Sequence, residues 1–323
     1  MISKKFFLGS KELHVDSYAS LIVLCASIRK EDKTTPYTIY IDDEGDIERG
    51  NLKFPFSYFH VIAHGKKLIS SLYAKMKDEK GEELTTWKTA ALKVTGSHNI
   101  FENLVIENDA GSPEIKGQEV ALGIYGDDNI FSDCTLISTQ DTLFVGPLPD
   151  DLSTRYIDFL PQDERYFDGN ARNYFSHCTI KGSIDFIFGA GRAVFDNCSL
   201  VTIADKRGES YVVAPSHSLK DDFGYLFYQC GFSCEKGVDE KTIFLARPWR
   251  DYGKAVFAYC NYGSHISPLG FHDWSDVDRK RTARFEEYPF QEGRVDWMHN
   301  KVDDTLPSRY TDAVLDLRKS LSD

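Results

Sequence analysis

The sequence predicts an all-β protein, a parallel β-helix with a short N-terminal capping helix. Three observations support this prediction: a recurring short motif, strand-like apolar alternation after it, and turn residues between the repeats. The motif is Phe-x-x-(Cys/Leu), and it occurs as FENL from 101, FSDC from 131, FSHC from 175, FDNC from 195, FYQC from 227 and FAYC from 257. Repetition of this kind is typical of stacked solenoid coils. No linker or low-complexity tract interrupts the chain, so a single domain over residues 1–323 is expected.

The N-terminal segment predicts the capping helix. An apolar run at 19–26 follows several charged residues, and the pattern indicates an amphipathic helix over roughly residues 17–29, capped by Asp16 or Ser17. Charges placed before an apolar run make a poor signal peptide, so export by this segment is not expected. No stretch of the sequence is long enough to span a membrane.

The cysteines indicate an internal ladder. Five of the seven occupy one position of the repeat, and none forms a CxxC pair. Free cysteine packs as a small hydrophobe, so these side chains are expected to stack as reduced thiols inside the coils. A ladder of thiols fits a reducing compartment, and we therefore expect a cytoplasmic protein, with secretion as the alternative. The ladder residues are Cys134, Cys178, Cys198, Cys230 and Cys260.

The overall charge narrows the class of partner. The net charge of −12 argues against nucleic acid and against an anionic membrane surface, both of which require a basic patch. The histidines show no HExxH spacing, and neither a metal nor a cofactor is expected. The chain is expected to act as a monomer, although the sequence carries no signal of its oligomeric state.

Four segments carry polar residues where packing would favour apolar ones: GQEVALGI (117–124), STQDTLFV (138–145), GSIDFIFGAG (182–191) and FLARPWRDYGKAVF (244–257). Neighbouring strands of a β-helix lie about 4.8 Å apart, so residues from successive coils can converge. Two carboxylates, two amides and a guanidinium on one face would suit acyl transfer. One aspartate, held ionised by the arginine, would attack a carbonyl, and the other would act as acid and then base. Each residue alone is a weak signal, and the combination carries the prediction.

These segments resemble, in order, the motifs of the pectin methylesterases, which are right-handed single-stranded parallel β-helices. The C-terminal stretch ISPLGFHDWSDVDRKRTARFEEY extends the resemblance, which covers roughly residues 90 to 300. The resemblance implies a carboxylic ester hydrolase that removes methyl esters from galacturonate units of pectin or of methylated oligogalacturonides and releases methanol.

The resemblance also implies roles for individual residues. Asp185 corresponds to the nucleophile, Asp141 to the general acid/base, and Gln118 and Gln140 to the donors for the oxyanion. Arg247 would orient Asp185 and stabilise its charge. The residues expected to contact the sugar are Trp249, Phe188, Tyr174 and Trp274.

The sequence departs from the family pattern at several positions. The first family motif, Gly-x-Tyr-x-Glu, has its nearest match at residues 45–49. Ala246 stands in place of a glycine, Glu119 in place of an alanine beside Gln118, and Phe271 in place of a tryptophan. We expect these changes to alter substrate fit more than chemistry.

A long insertion separates Asp141 from Asp185, over residues 146–173. A long loop beside an active site is commonly functional, although a solvated surface excursion is an equally good interpretation. Its aromatic residues would stack on sugars and its arginines would hold carboxylates. These are Tyr156, Phe159, Tyr166, Phe167, Arg155, Arg165 and Arg172.

Other functions of β-helices remain as alternatives. A polygalacturonase would require clustered aspartates and a Gly-His-Gly segment, which the sequence lacks. A pectate lyase would require a calcium site, and the acidic pairs of this chain are scattered. A catalytically weak, sugar-binding solenoid would not need paired carboxylates.

Overall fold

The computed structural model describes residues 1–42, 46–165, 171–208, 210–275, 278–299 and 304–322. The helices are α1 Tyr18–Glu31, α2 Pro113–Lys116, α3 Asp150–Arg155, α4 Gln162–Arg165, α5 Arg279–Thr282 and α6 Ser308–Ser322, with short 3-10 turns at Lys4–Phe7 and Thr86–Lys88. The strands are β1 Lys11–Val15, β2 Tyr37–Ile41, β3 Ile47–Arg49, β4 Leu52–Phe54, β5 Phe59–Ala63, β6 Lys67–Ser70, β7 Leu92–Val94, β8 Ile100–Glu102, β9 Val105–Asn108, β10 Leu122–Ile124, β11 Asn129–Ser132, β12 Thr135–Ile137, β13 Leu143–Val145, β14 Arg172–Ser176, β15 Thr179–Gly182, β16 Ile184–Gly189, β17 Arg192–Asp196, β18 Ser199–Thr202, β19 Ser210–Pro215, β20 Tyr225–Tyr228, β21 Gly231–Cys234, β22 Ile243–Ala246, β23 Lys254–Ala258, β24 Asn261–Tyr262 and β25 Arg284–Tyr288.

The strands form three parallel sheets that wrap around one core. The ten-stranded sheet has the order β1-β2-β5-β8-β11-β14-β17-β20-β23-β25, and the eight-stranded sheet runs β24-β21-β18-β15-β12-β9-β6-β3. The seven-stranded sheet runs β22-β19-β16-β13-β10-β7-β4. Since strands that follow one another along the chain lie in different sheets, each coil contributes one strand to each sheet. The predicted parallel β-helix is confirmed.

The Phe-x-x-Cys motif builds the interior of the coil. Its phenylalanines pair in register from Phe101 to Phe257, and successive rings are stacked with centroids 4.6 to 5.1 Å apart. Offset stacking of this kind adds to the free energy gained from burial. The third residue of each motif has a φ between 52° and 57°, which turns the chain from the ten-stranded to the eight-stranded sheet. Asn and Asp tolerate this left-handed conformation better than most residues, and they occupy half of these corners. The corners are Asn103, Asp133, His177, Asn197, Gln229 and Tyr259.

The predicted cysteine ladder follows the same register. Each thiol donates to the backbone carbonyl of the phenylalanine one coil earlier, for example Cys178 to Phe131 at 3.4 Å and Cys230 to Phe195 at 3.2 Å. All five ladder cysteines are free, four are buried and Cys260 is partly buried. The thiols therefore fill a narrow internal row, as the sequence predicts.

Helix α1 closes the N-terminal end of the core. Ser17 caps it by accepting a hydrogen bond from the Ser20 backbone N–H at 3.0 Å, so the predicted helix and one of its two predicted caps are confirmed. Tyr18, Leu21 and Cys25 are buried against the first coils. Among the described residues, no helix has the length and apolar character to cross a bilayer.

A second long helix, α6, lies on the outside of the ten-stranded sheet and is not among the elements predicted from the sequence. Its buried residues Tyr310, Val314 and Leu317 pack in one cluster with Tyr174 and other outward-facing side chains of the sheet. Arg318 holds the helix in place through a bidentate salt bridge to buried Asp196 at 2.8 Å. This face of the coil is therefore covered.

Candidate active site

The four polar segments converge on the outer face of the seven-stranded sheet. They line a cleft of about 200 Å³ formed by Thr86, Trp87, Gln118, Gln140, Asp141, Asp185, Phe188, Ala214, Arg247, Trp249 and Trp274. All five residues predicted for the chemistry line this cleft. Three of the four predicted sugar-contacting residues, Trp249, Phe188 and Trp274, also line it.

Local irregularity in β16 turns Asp185 outward. The register with β19 shifts between Ile184 and Ile187, and Asp185 has a φ of 50°. The bulge lets Phe186 point into the core, where it is fully buried, while Asp185 faces the cleft. Gly182 makes this geometry possible, because a Cβ there would collide with the Phe186 side chain.

Arg247 fixes the Asp185 carboxylate. Its Nε donates to Oδ1 at 2.8 Å and its Nη2 to Oδ2 at 2.6 Å, a two-pronged geometry that holds both oxygens. The guanidinium is itself stacked between two rings, 3.7 Å from the centroid of Tyr211 and 3.8 Å from that of Trp274. Asp185 is thus oriented by a side chain that has little freedom to move.

Asp141 has a different environment one coil away. It also has a left-handed backbone, with a φ of 66°, and it is buried. Burial raises the pKa of Asp141 well above its usual range, and the negative charge of Asp185 raises it further, against the opposing charges of Arg247 and Arg207. Asp141 therefore favours the protonated form, which is the form a general acid requires.

The two glutamines lie beside these carboxylates in the cleft lining. Gln140 directly precedes Asp141 and forms a parallel bridge with Ile184, next to Asp185. Its side-chain Oε1 accepts a hydrogen bond from Arg207 Nη1 at 2.9 Å. Gln118 is held through its backbone carbonyl, which accepts from the Ala74 N–H at 2.9 Å. Both glutamines line the cleft together with the two aspartates.

An aromatic wall adjoins the carboxylates. Phe188 contacts Trp249 with centroids 5.7 Å apart, and Trp87 contacts both, at 6.2 Å from Phe188 and 6.3 Å from Trp249. Trp87, which lies in the 3-10 turn before β7, and Arg207 are not among the residues predicted from the sequence. Neither belongs to the periodic pattern, so the sequence carried no positional signal for them.

Tyr174 does not belong to this site, and the sequence prediction for it is wrong. It lies in β14 of the ten-stranded sheet, is fully buried under α6, and its hydroxyl donates to Asp196 at 2.7 Å. Along this strand Tyr174 alternates with Phe175, which faces the interior, so Tyr174 points to the outside of the coil. That outside face is occupied by the helix instead of substrate.

The insertion at 146–173 packs against the aromatic wall. The Tyr156 ring lies 6.2 Å from Trp87, and the Phe159 ring lies 3.7 Å from the ammonium of Lys88. Two of its predicted carboxylate-binding arginines are engaged elsewhere, since Arg165 Nε donates to a backbone carbonyl and Arg172 pairs with Asp127. The third, Arg155, has its guanidinium 5.4 Å from the ring of its neighbour Tyr156. Tyr166 and Phe167 lie outside the described residues.

Ion pairs tie the insertion to the coil on two sides. Buried Glu164 accepts from Lys93 at 2.6 Å and from Lys53 at 3.0 Å, two lysines on the outer face of the same sheet. Asp151 pairs with Arg250, directly after Trp249, at 2.8 Å. The described N-terminal part of the insertion, residues 146–165, is therefore a docked element at the aromatic side of the cleft, and the solvated-excursion interpretation does not fit that part.

The departures from the family pattern have mainly structural roles. Ala246 and Phe271 are buried in the interior core and are bridged to each other, so the expectation that they alter substrate fit does not hold. Glu48 accepts from the Tyr18 and Ala19 N–H groups and thereby caps α1. Gly45, the first residue of that motif, lies outside the described part of the chain.

Glu119 is the unusual departure. It is buried, its Oε1 accepts from the Thr139 N–H at 3.1 Å, and among the described residues its Oε2 has no hydrogen-bond partner. Burial raises the pKa of Glu119 to about 7, against the opposing hydrogen bond from Thr139. In the described part of the chain, no group of three or more His, Cys, Asp or Glu side chains is arranged to hold a metal ion.

Fold and site together define a class: parallel β-helices that carry two carboxylates, two amides and an arginine in a cleft on one outer face. The chain belongs to the pectinesterase family, whose sequence profile matches residues 18–148 and 157–313. The gap between the two matched parts falls within the insertion.

Individual relatives agree with this assignment. Pectinesterase QRT1 of Arabidopsis thaliana is 30% identical over 227 residues, which cover 67% of this chain and 52% of the relative. Pectinesterase 31 of the same plant is 29% identical, over 68% of this chain and 62% of its own length. The chain thus spans between half and two thirds of the length of these two relatives.

Solved structures share the fold. Pectin methylesterase from carrot superimposes with a TM-score of 0.72 at 21% identity, over 89% of this chain and 85% of its own. Pectin methylesterase PemA from Erwinia chrysanthemi gives a TM-score of 0.71 at 20% identity, over 94% of each chain. These similarities confirm the predicted right-handed parallel β-helix.

Proposed function

We propose that this protein is a carboxylic ester hydrolase that removes methyl esters from galacturonate units of pectin or methylated oligogalacturonides. The observation that carries the proposal is the pairing of Asp185 with Arg247 beside a buried Asp141 whose pKa is raised. A carboxylate held by an arginine, next to a buried carboxyl that favours its protonated form, provides a nucleophile and an acid. Membership of the pectinesterase family supports the choice of substrate.

The geometry supports a two-step reaction. An oxygen of the Asp185 carboxylate attacks the ester carbonyl carbon, and the oxyanion that forms accepts hydrogen bonds from the amides of Gln118 and Gln140. Asp141 donates its proton to the methoxy oxygen as the C–O bond breaks, so methanol leaves and a mixed anhydride joins the galacturonate to Asp185.

In the second step Asp141 acts as a base. Asp141, now ionised, takes a proton from water as the water oxygen attacks the galacturonate carbonyl carbon. The anhydride bond breaks, Asp185 leaves as a carboxylate, and the product is a free galacturonic acid. Arg247 balances the charge of Asp185 at the beginning and the end of the cycle.

The aromatic wall suits the sugar rings. Trp249, Phe188 and Trp274 present ring surfaces within the same cleft as the carboxylates. Aromatic faces pack well against the apolar faces of sugars and leave hydroxyls free for hydrogen bonding. A pectin methylesterase of the same fold has been solved in complex with a hexasaccharide, at 20% identity and a TM-score of 0.69, which agrees with a carbohydrate ligand here.

The test is an assay of methanol release from methylated pectin, with and without EDTA. We expect methanol at an unchanged rate under chelation, because none of the residues assigned to the steps acts through a metal. Production of new reducing ends without methanol would indicate a polygalacturonase. Activity lost on chelation and restored by calcium would indicate a lyase, and either result would overturn the proposal.

We further propose that the natural substrates are short oligomers and that the protein acts in the cytoplasm as a monomer. The free thiols of the ladder and the docked insertion beside the aromatic wall support this proposal. A closed end of the cleft would favour short chains, so rates on trimers should match those on polymer. Shortening the segment between Gly146 and Arg172 should shift the preference toward polymer. Rates on trimers a hundredfold lower, or recovery of the protein outside cells, would contradict this part.

A further inference from the structure

The orientation of one amide in the cleft can be assigned from its partner. Arg207 Nη1 lies 2.9 Å from the Gln140 side-chain oxygen. A guanidinium can only donate hydrogen bonds, so the amide atom that faces it must be the carbonyl oxygen. The NH₂ group of Gln140 is therefore directed away from Arg207, and Gln140 itself lines the cleft.

Arg207 is itself held by a second layer of contacts. Its Nε donates to Asp205 Oδ1 at 2.8 Å and its Nη2 to Asp205 Oδ2 at 2.7 Å. The Ser183 hydroxyl oxygen lies 2.9 Å from Oδ2 of the same carboxylate and 2.9 Å from the Thr139 carbonyl oxygen, so its single hydrogen can bridge toward either acceptor. Ser183 stands two residues before Asp185, and Thr139 directly precedes Gln140. The contacts therefore join the loop that carries Arg207 to the two segments that carry Asp141 and Asp185.

Asp205 is suited to this anchoring role. It is nearly buried, with a side-chain exposure of 5%, whereas the Arg207 side chain is 33% exposed. Although burial opposes it, hydrogen bonding to Arg207 and Ser183 keeps the pKa of Asp205 below its usual range. The charged pair thus lies at the edge of the cleft, and all three guanidinium nitrogens already donate hydrogen bonds.

We propose that Arg207 is a positioning residue, which holds the Gln140 amide so that its N–H groups point to the oxyanion. This inference rests on the proposed function, in which Gln140 is an oxyanion donor. An amide is symmetric in shape, and without a fixed partner it can rotate and present its oxygen to the oxyanion, which would be repulsive. The hydrogen bond from Arg207 to the Gln140 oxygen excludes the second orientation of the amide. The gain is preorganisation, which acts on the transition state more than on substrate binding.

The experiment is a double-mutant cycle on methanol release, with kcat and KM measured separately. Arg207→Ala should lower kcat by on the order of 10- to 100-fold and leave KM within about twofold, because only the fixed orientation of the Gln140 amide is lost. Arg207→Lys should recover little, because an ammonium cannot make the forked contact to Asp205 and reach Gln140 together. In a Gln140→Ala background, Arg207→Ala should cost less than about twofold, because the group that it positions is gone.

The matched control is Lys206→Ala. Lys206 is the neighbouring cation, its side chain is 87% exposed, and it forms an ion pair with Glu114, outside the cleft lining. This variant should retain wild-type kinetics. Circular dichroism spectra like that of the wild type should show that every single variant is folded, and Arg207→Ala should lower the urea midpoint because it leaves Asp205 without its ion-pair partner.

Two results would overturn the inference. If wild-type protein releases methanol and Arg207→Ala matches Lys206→Ala, Arg207 has no role in the reaction. If the loss persists in the Gln140→Ala background and appears as a raised KM, Arg207 binds substrate directly. Absence of methanol release by the wild-type protein would instead refute the proposed function, and the inference with it.

Discussion

The interior of the coil and the outer face of the seven-stranded sheet use one repeat in opposite ways. Inside, successive coils place identical side chains at identical register, so phenylalanine stacks on phenylalanine and thiol follows thiol. Outside, the same spacing brings together unlike groups: Asp141 and Asp185, an arginine and two amides. Identical side chains in successive coils pack the interior, and different side chains in successive coils form the candidate active site.

The same contrast applies to the backbone. Left-handed residues recur at the corners between the ten- and eight-stranded sheets, where they only turn the chain. Asp141 and Asp185 have the same conformation, with φ of 66° and 50°, but in the cleft, where it aims a carboxylate outward. A positive φ is therefore an ordinary feature of this fold, and by itself it does not indicate function.

The largest effect should come from Asp185→Asn. An amide cannot act as a carboxylate nucleophile, so turnover should be abolished while the stacked interior is unaffected. Methanol release measures the loss, and a circular dichroism spectrum like that of the wild type shows that the coil has formed. Near wild-type rates in this variant would refute the mechanism.

Asp141→Asn should be nearly as damaging. Loss of a general acid and base typically costs roughly 10²- to 10⁴-fold in kcat. Single-turnover measurements with a methylated oligogalacturonide report the chemical step directly. A variant within tenfold of the wild-type rate would remove Asp141 from the reaction.

A substitution in the interior should have the opposite signature. Phe195 stacks between Phe175 and Phe227, at 4.8 and 4.6 Å. Phe195→Ala should lower the free energy of unfolding by about 3–5 kcal/mol, the cost of a large buried cavity. In urea titrations the midpoint should fall, whereas kcat of the folded protein should stay near that of the wild type. Phe195→Leu is the milder control. A large loss of kcat without loss of stability would contradict the claim that the interior determines stability and the cleft determines activity.

Glu119→Gln should have the smallest effect, and its sign depends on pH. The folded-state pKa of about 7 lies above the ordinary value of 4.5, so the folded protein binds a proton that the unfolded chain releases. Wild-type stability should therefore fall between about pH 4.5 and pH 7, by at most on the order of 3 kcal/mol. The amide introduced by this substitution would remain neutral at every pH and keep an acceptor for the Thr139 N–H. Urea unfolding should show equal stabilities at pH 4 and a more stable variant at pH 8, and parallel profiles would contradict this account.

The sequence predicted what the repeat encodes. Periodic residues such as Phe195 and Cys178 predict the β-helical coil, and the coil in turn brings Asp141 and Asp185 together. Arg207 could not be found in this way, because it lies in the segment DKRG, which has the pattern of a solvated charged loop. Its role depends on where that loop returns to the sheet, which is a tertiary property.

The prediction for Tyr174 was wrong, and α6 was not predicted, for a related reason. An outward-facing aromatic residue on a β-helix can contact either substrate or another element of the chain, and the strand pattern does not distinguish them. The spacing of Tyr310, Val314 and Leu317 does match one helical face, so α6 was accessible to periodicity analysis. The sheet against which α6 packs could not be predicted from periodicity.

The central claim is that two neighbouring carboxylates divide the reaction because their environments differ. The most direct test is the pH dependence of kcat/KM for the wild type and for Asp141→Asn, with the spontaneous hydrolysis of the ester subtracted. Because protonated Asp141 is the acid, the wild-type rate should fall on the alkaline side, at a pH well above the ordinary pKa of aspartate. The residual rate of Asp141→Asn should lack that alkaline decline. If the variant keeps the decline, or if the wild type shows none, the division of roles between Asp141 and Asp185 is wrong.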